Sequence, residues 1–522
     1  MTVLLCLMPF VVSAQSEFVK VSSKIGNTLR FIDRYYVDTV SLEKLGDASV
    51  KAILEQLDPH STYIPASENK TSNEEMEGEF EGVGIQFNII SDTLTVQAVI
   101  AGGPCAKAGV MAGDKFVEVD TVKIASAGVT STDIQKLLRG PKGTTVTIKV
   151  VRRGVVEPLT FNITRDKIPL ESIDAAYQPI PGVAYIKISR FGLKTSAEFL
   201  NALLKASNER RPNGIIIDLR GNGGGIVGAA IFLSDMFLSK GQMIFYSEGT
   251  NSPRSDVVAT EKGAYETGPL VVMIDENSAS ASEIFTGAIQ DWDRGVVVGR
   301  KSFGKGLIQR QFEFEDGSAA RVTVARYYTP TGRAIQSPYE KGHKKEYLQA
   351  FIDRYERGES FSRDSISFPD SLKFSTLVKG RTVYGGGGIM PDVFVPRDTS
   401  YISSFYRRAV GLGFLVSFST KYIDSKRVEY TREYPDFETF DASFKSDEIF
   451  EAYLSSEKEK GYEPSQEDLE RSSKMLKCQL KALVARALFS ENEFYRVINN
   501  EDEDFKAAVQ EISNLIEAYY AQ

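Results

Sequence analysis

Four runs of this chain are apolar but for Lys187, Asp218 and Asp275 near their ends: G-V-A-Y-I-K-I at 182–188, G-I-I-I-D-L at 214–219, P-L-V-V-M-I-D at 269–275 and G-V-V-V-G at 295–299. A strand that shows water one face alternates polar and apolar residues, whereas these runs must be covered on both faces. Helix-patterned stretches lie between them, so the segment from about Ile168 to Arg397 is predicted to be α/β, a sheet between helical layers. Within it, Ser337 to Val383 is polar, aromatic and charged, and reads as a surface insertion.

At ~150 residues per domain, the 522 residues imply several units. Residues 17–76 carry apolar positions at three- and four-residue spacing and are predicted helical. Residues 78–165 hold short alternating runs punctuated by Gly and Pro, with a helix at Asp133–Leu138 closed by R-G-P-K-G, the size of one β-rich module. Residues 399–522 are charged and mostly helical, with a packing or oligomerisation role.

The first residues are uncharged up to Glu17, and Leu4–Val12 is apolar but too short to span a bilayer. With small residues before Ala14, residues 1–14 read as an export signal, although the usual basic start is missing. Cys6 raises a lipoprotein reading, which Leu5 disfavours. Once the signal is removed, Cys105 and Cys478 remain beside His60 and His343, too few for a disulfide framework or a transition-metal site. No metal and no cofactor are expected. A net charge of −8 gives no reason to propose a nucleic-acid partner.

The stretch N-S-A-S-A-S-E-I-F at 277–285 stands where an apolar run hands over to a helix whose face is Ile284, Phe285, Ala288, Ile289 and Trp292. Ser280-x-x-Glu283 fits a capping box, in which the serine serves only the backbone. The same position suits a nucleophile beside helix N–H donors that hold an oxyanion. A base is scarce: His60 lies in the turn Asp58-Pro59 and His343 in the insertion. Lysine can serve if desolvation keeps it neutral, and Lys305 stands between two glycines just after a buried run. Gly223-x-Gly225-x-x-Gly228, with Glu248 further on, matches a dinucleotide fingerprint, except that Asp-Leu-Arg-Gly-Asn separates it from the strand.

Eight motifs occur in order: L-D-P-H-S at 57–61, E-G-V-G-I at 81–85, A-G-V-x-x-G-D at 108–114, D-L-R-G-N-G-G-G at 218–225, S-A-S-A-S-E at 278–283, F-G-K-G-L-I-Q at 303–309, Y-Y-T-P-T-G-R-A-I-Q at 327–336 and G-G-I-M-P-D at 387–392. From about Phe31 to Val395 the chain thereby resembles the carboxyl-terminal processing, or tail-specific, proteases, which are Ser-Lys serine endopeptidases. The resemblance implies a crotonase-like ββα core, Ser280 as nucleophile, Lys305 as general base and Gln309 as the residue orienting it. It also implies an oxyanion hole from the backbone N–H groups of Ala281 and Gly224. Residues 78–165 then resemble a PDZ domain whose Gly82, Val83, Gly84 and Ile85 receive the carboxylate of a peptide tail. In the simplest members of the family the last two motifs lie close together; here the insertion splits them.

The function expected from this resemblance is that of an exported endopeptidase, in the periplasm or envelope of a bacterium, that captures the apolar C-terminal tail of a protein or peptide through the PDZ domain and cleaves internal bonds near that tail. A homo-oligomer and an envelope adaptor protein are the further partners it allows. The alternatives are a non-catalytic PDZ scaffold and a dinucleotide-binding enzyme.

Overall fold

The computed structural model describes residues 8–521 apart from 91, 101, 209, 261 and 262, and for residues 8–16 the backbone alone. The predicted export signal thus lies half outside the described residues, the rest running into the helix Met8–Tyr35. No described helix is long and apolar enough to cross a membrane. The chain forms two compact units, one of residues up to Lys70 with Gln309–Val324 and Tyr339–Ala350, the other of Thr71–Ile308, Ala325–Pro338 and Phe351 onward.

The larger unit is built on the predicted sheet. Its strands run in the order Ile173–Tyr177, Val183–Ile188, Gly214–Asp218, Leu270–Ile274, Val296–Gly299 and Val393–Phe394, antiparallel at the first pair and parallel thereafter. Every residue of the second, third and fourth strands is buried. One face (Ile186, Ile217, Val272) packs against the helices Thr195–Ala206, Val227–Phe237 and Ala281–Asp291. The other (Tyr185, Ile216, Val271, Met273) packs against Phe505, Ala508 and Ile512 of the helix Glu503–Tyr520. A Cβ on Gly214 would lie 2.8 Å from Ile512, so the strand and that helix meet backbone to side chain.

The same unit holds the β-rich module, an antiparallel sheet in the order Ile85–Ile89, Leu94–Val99, Lys115–Val119, Thr145–Val151 and Leu159–Thr164. Leu94, Phe116, Val146 and Ile148 fill its core under the helix Ser131–Leu138, which starts two residues earlier than its pattern predicted because Thr130 and Asp133 form a capping box. The C-terminal helices between Phe414 and Ile498 enclose a second aromatic core around Phe405, Phe440 and Tyr453. The insertion carries the helix Lys344–Glu356 and the hairpin Lys373–Ser375 with Thr382–Tyr384.

In the smaller unit, Leu42–Glu55 is capped by Ser41, and Thr62–Ile64 pairs antiparallel with Ala319–Arg321.

Candidate active site

The strand Leu270–Ile274 delivers its chain to a turn whose three serines have distinct fates. Ser278 is fully buried, and its hydroxyl donates to the Leu219 carbonyl at 2.8 Å. Ser282 is buried too and donates to the Asn222 carbonyl at 2.9 Å. These two stitch the serine turn to the glycine loop. Ser280, between them, is only half-buried and has φ 57° and ψ −113°. Positive φ is uncommon for a residue with a Cβ, and a sharp strand-to-helix turn of this kind presents a serine outward. The capping box read in the sequence forms around Glu283: its carboxylate accepts from Ser280 N at 2.8 Å.

Glu283 also reaches further than a cap. Its carboxylate accepts from Lys305 N at 2.9 Å, Gly304 N at 2.7 Å and the Ser302 hydroxyl at 2.5 Å. The amides of Ser280 and Lys305 thus meet on one carboxylate oxygen. Their carbonyls meet on one phenol, since the Tyr327 hydroxyl lies 3.2 Å from Ser280 O and 3.0 Å from Lys305 O. Burial pushes the Glu283 carboxyl above its ordinary value, against the pull of its four donors, and pushes the Tyr327 phenol well above 10, so Tyr327 stays a neutral donor.

The glycine loop closes on the same turn. A Cβ on Gly224, at φ 101°, would lie 2.7 Å from Ala279 O and 3.0 Å from Ala281 N, so only glycine lets the loop approach. The Gly224 N–H donates to Asn222 Oδ1 at 2.8 Å, an internal use that the sequence did not foretell. Upstream, Asp218 is buried and paired with the half-buried Arg220, which also meets Asp502 and Asp504 where they precede and open the helix Glu503–Tyr520. Burial pushes the Asp218 carboxyl up, but Arg220 and Lys187 beside it prevail and hold it below the carboxylate range.

In the smaller unit, Gln309 lies on the strand Leu307–Glu313, and its amide donates to the His60 carbonyl at 2.7 Å. His60 stands edge-on to Tyr347, its Nε2 3.2 Å from the phenol, while its N–H donates to Asp58. In the β-rich module, the carbonyls of Val83 and Gly84 accept from Cys105 N and Ile100 N, and the strand Ile85–Ile89 that follows stands at the sheet edge among the described strands. Gly84 takes φ 78°.

Comparison with known proteins places these parts. Residues 182–342 match Peptidase family S41, residues 82–163 match the PDZ domain, and residues 405–490 match a family of unknown function. The carboxy-terminal-processing protease of Bartonella bacilliformis is 34% identical over 321 residues, covering 60% of this chain and 72% of that protein. The chain belongs to the carboxy-terminal processing proteases. The protease is also 31% identical to the carboxy-terminal processing protease CtpA of Bacillus subtilis, over 62% of this chain and 68% of the relative. Among solved structures, the photosystem II D1 C-terminal processing protease aligns with 72% of this chain and 93% of its own at 25% identity, with a TM-score of 0.34. The family matches make the protease a serine-type peptidase with a PDZ domain. Its sequence did not disclose that Glu283 and Tyr327 tie the serine turn to the lysine loop; the S-x-x-E spacing and the Y-Y-T-P motif were the available signals.

Proposed function

We propose that the protease is an endopeptidase acting by a Ser-Lys mechanism on proteins captured by their apolar C-terminal tails. Ser280 Oγ attacks the scissile carbonyl carbon while neutral Lys305 Nζ takes the hydroxyl proton. The tetrahedral oxyanion is held by the Ala281 and Gly224 N–H groups; Gly224 donates once Asn222 releases it. Collapse expels the amine, to which Lys305 returns the proton, and water activated by the same lysine hydrolyses the acyl-enzyme. Gln309 orients Lys305. The observation that carries this reading is that Ser280, alone of the three serines, is half-buried at a strained turn whose amide and carbonyl share partners with those of Lys305.

The PDZ domain supplies the tail site. A tail adds as a strand along Ile85–Ile89, and the loop of Gly82, Val83, Gly84 and Ile85 receives its carboxylate. The protease works after export, in the bacterial envelope. The test is cleavage of an unfolded protein ending in apolar residues, beside a copy ending in charged ones, by wild type, Ser280→Ala and Lys305→Ala. Cleavage of the apolar-tailed copy by the wild type alone is expected, and undiminished cleavage by either variant overturns the assignment.

A further inference from the structure

The loop that carries Lys305 can be accounted for group by group. The Ser302 and Phe303 N–H groups donate to Ile389 O and Ser278 O, and those of Gly304 and Lys305 to Glu283. On the carbonyl side, Gly304 accepts from Ser337 N and Lys305 from the Tyr327 hydroxyl. The three remaining carbonyls share one side chain of the insertion, although Phe303 O also accepts from the Ser337 hydroxyl at 3.2 Å. Arg354 donates to Phe303 O at 3.1 Å, to Ser302 O at 3.1 Å and to Lys301 O at 3.4 Å.

That guanidinium is itself held. Glu359 accepts from Arg354 Nε at 3.2 Å, and also from Lys301 Nζ at 2.7 Å and Arg357 at 3.0 Å. Phe351, one turn before Arg354, packs its ring 5.0 Å from that of Phe303. A planar fork with five donors in fixed directions reaches three carbonyls spread along a loop, which the compact three-donor ammonium of a lysine matches less well. We propose that Arg354 is a positioning residue for the general base: the insertion clamps the carbonyls of residues 301–303 and so fixes the loop that aims Lys305 at Ser280.

The proposal rests on the Ser-Lys reading above and predicts a defect of geometry more than of stability. Arg354 lines a cavity of about 390 Å³ together with Lys301, Phe351 and Glu359, so in its absence water can reach the three carbonyls. The loop then loses its aim while its polar groups stay satisfied.

The experiment measures kcat and KM on the apolar-tailed protein for wild type, Arg354→Ala, Arg354→Lys, Glu359→Gln and Lys305→Ala, with thermal unfolding of each. Arg354→Ala is expected to lose about 10- to 100-fold in kcat, the range set by a misplacement of about 1 Å, with KM within about twofold. Arg354→Lys, a compact point charge with three donors but no planar fork, falls between it and wild type. Guanidinium ion at millimolar concentration restores part of the lost kcat of Arg354→Ala and adds nothing to wild type. The limb on which activity rises with pH moves upward in Arg354→Ala as water enters beside the loop. Unchanged kcat, or a loss matched by unfolding with no guanidinium rescue and no shift of the limb, overturns the proposal. If Arg354→Ala does not fold, Glu359→Gln decides: a several-fold loss of kcat at unchanged KM supports the clamp, and wild-type kcat overturns it. Activity in Lys305→Ala instead overturns the Ser-Lys reading itself, so the two failures are distinct.

Discussion

Replacing Glu283 by glutamine exchanges one oxygen for nitrogen where the serine turn and the lysine loop meet. The wild-type carboxylate takes four donors, from Ser280 N, Lys305 N, Gly304 N and Ser302 Oγ. The residue is 1% exposed, so water does not replace a lost partner. A glutamine oxygen serves one pair of donors, and its amide faces the other pair, donor against donor. Two buried donors left without acceptors cost about 1–3 kcal/mol each, about 2–6 kcal/mol together. Part of this appears as lower stability and part as a displaced loop, for which a shift of about 1 Å costs about 100-fold in turnover. Turnover of the apolar-tailed protein and thermal unfolding, measured on wild type and Glu283→Gln, are expected to fall together, turnover by about 100-fold or more. A Glu283→Gln variant with wild-type turnover and an unchanged Tm would refute the reasoning.

Two further outcomes are expected. Asp504→Ala strips a buried carboxylate from both Arg220 and Arg300, at about 3–5 kcal/mol, and should lower the Tm by several degrees together with turnover; an unchanged Tm would show that the pairing contributes nothing. Burial, with Arg354 nearby, brings the Lys301 amine down to about 8 from 10.5. The unfolded chain therefore binds more protons between those values, so wild-type stability should rise relative to Lys301→Met from pH 8 to pH 10.5, by at most about 3.5 kcal/mol at about 1.4 per pH unit. Denaturant titrations across that range check this, and a flat difference contradicts it.

The sheet was legible because burial on both faces leaves largely apolar runs without alternation, and the strands Val183–Ile188, Gly214–Asp218, Leu270–Ile274 and Val296–Gly299 lie within the runs that announced them. Ser280 and Glu283 were legible as a spacing. What Glu283 grips across more than twenty residues was not, because a carboxylate in the first helical turn looks the same whether it caps its own helix or also holds a distant loop. Asn222 reads as a loop residue, yet its side chain occupies the Gly224 N–H. Arg354 was hidden for a different reason: in a polar insertion, an arginine gives no sign that its guanidinium ends on main-chain carbonyls. Likewise the charged C-terminal region does not announce that Phe505, Ala508 and Ile512 belong under the sheet.

That last packing has a consequence for timing. The helix Glu503–Tyr520 covers Ile216, Val271 and Met273, and its N-terminal carboxylates grip Arg220 at the head of the glycine loop. Chain emerges at about 5–20 residues per second, so the strands wait many seconds for the segment that seals them. Until it arrives, the sheet keeps a bare apolar face and Arg220 lacks two of its three acidic partners. The sheet is sealed, and Arg220 fully paired, only when the chain from residue 502 onward has docked.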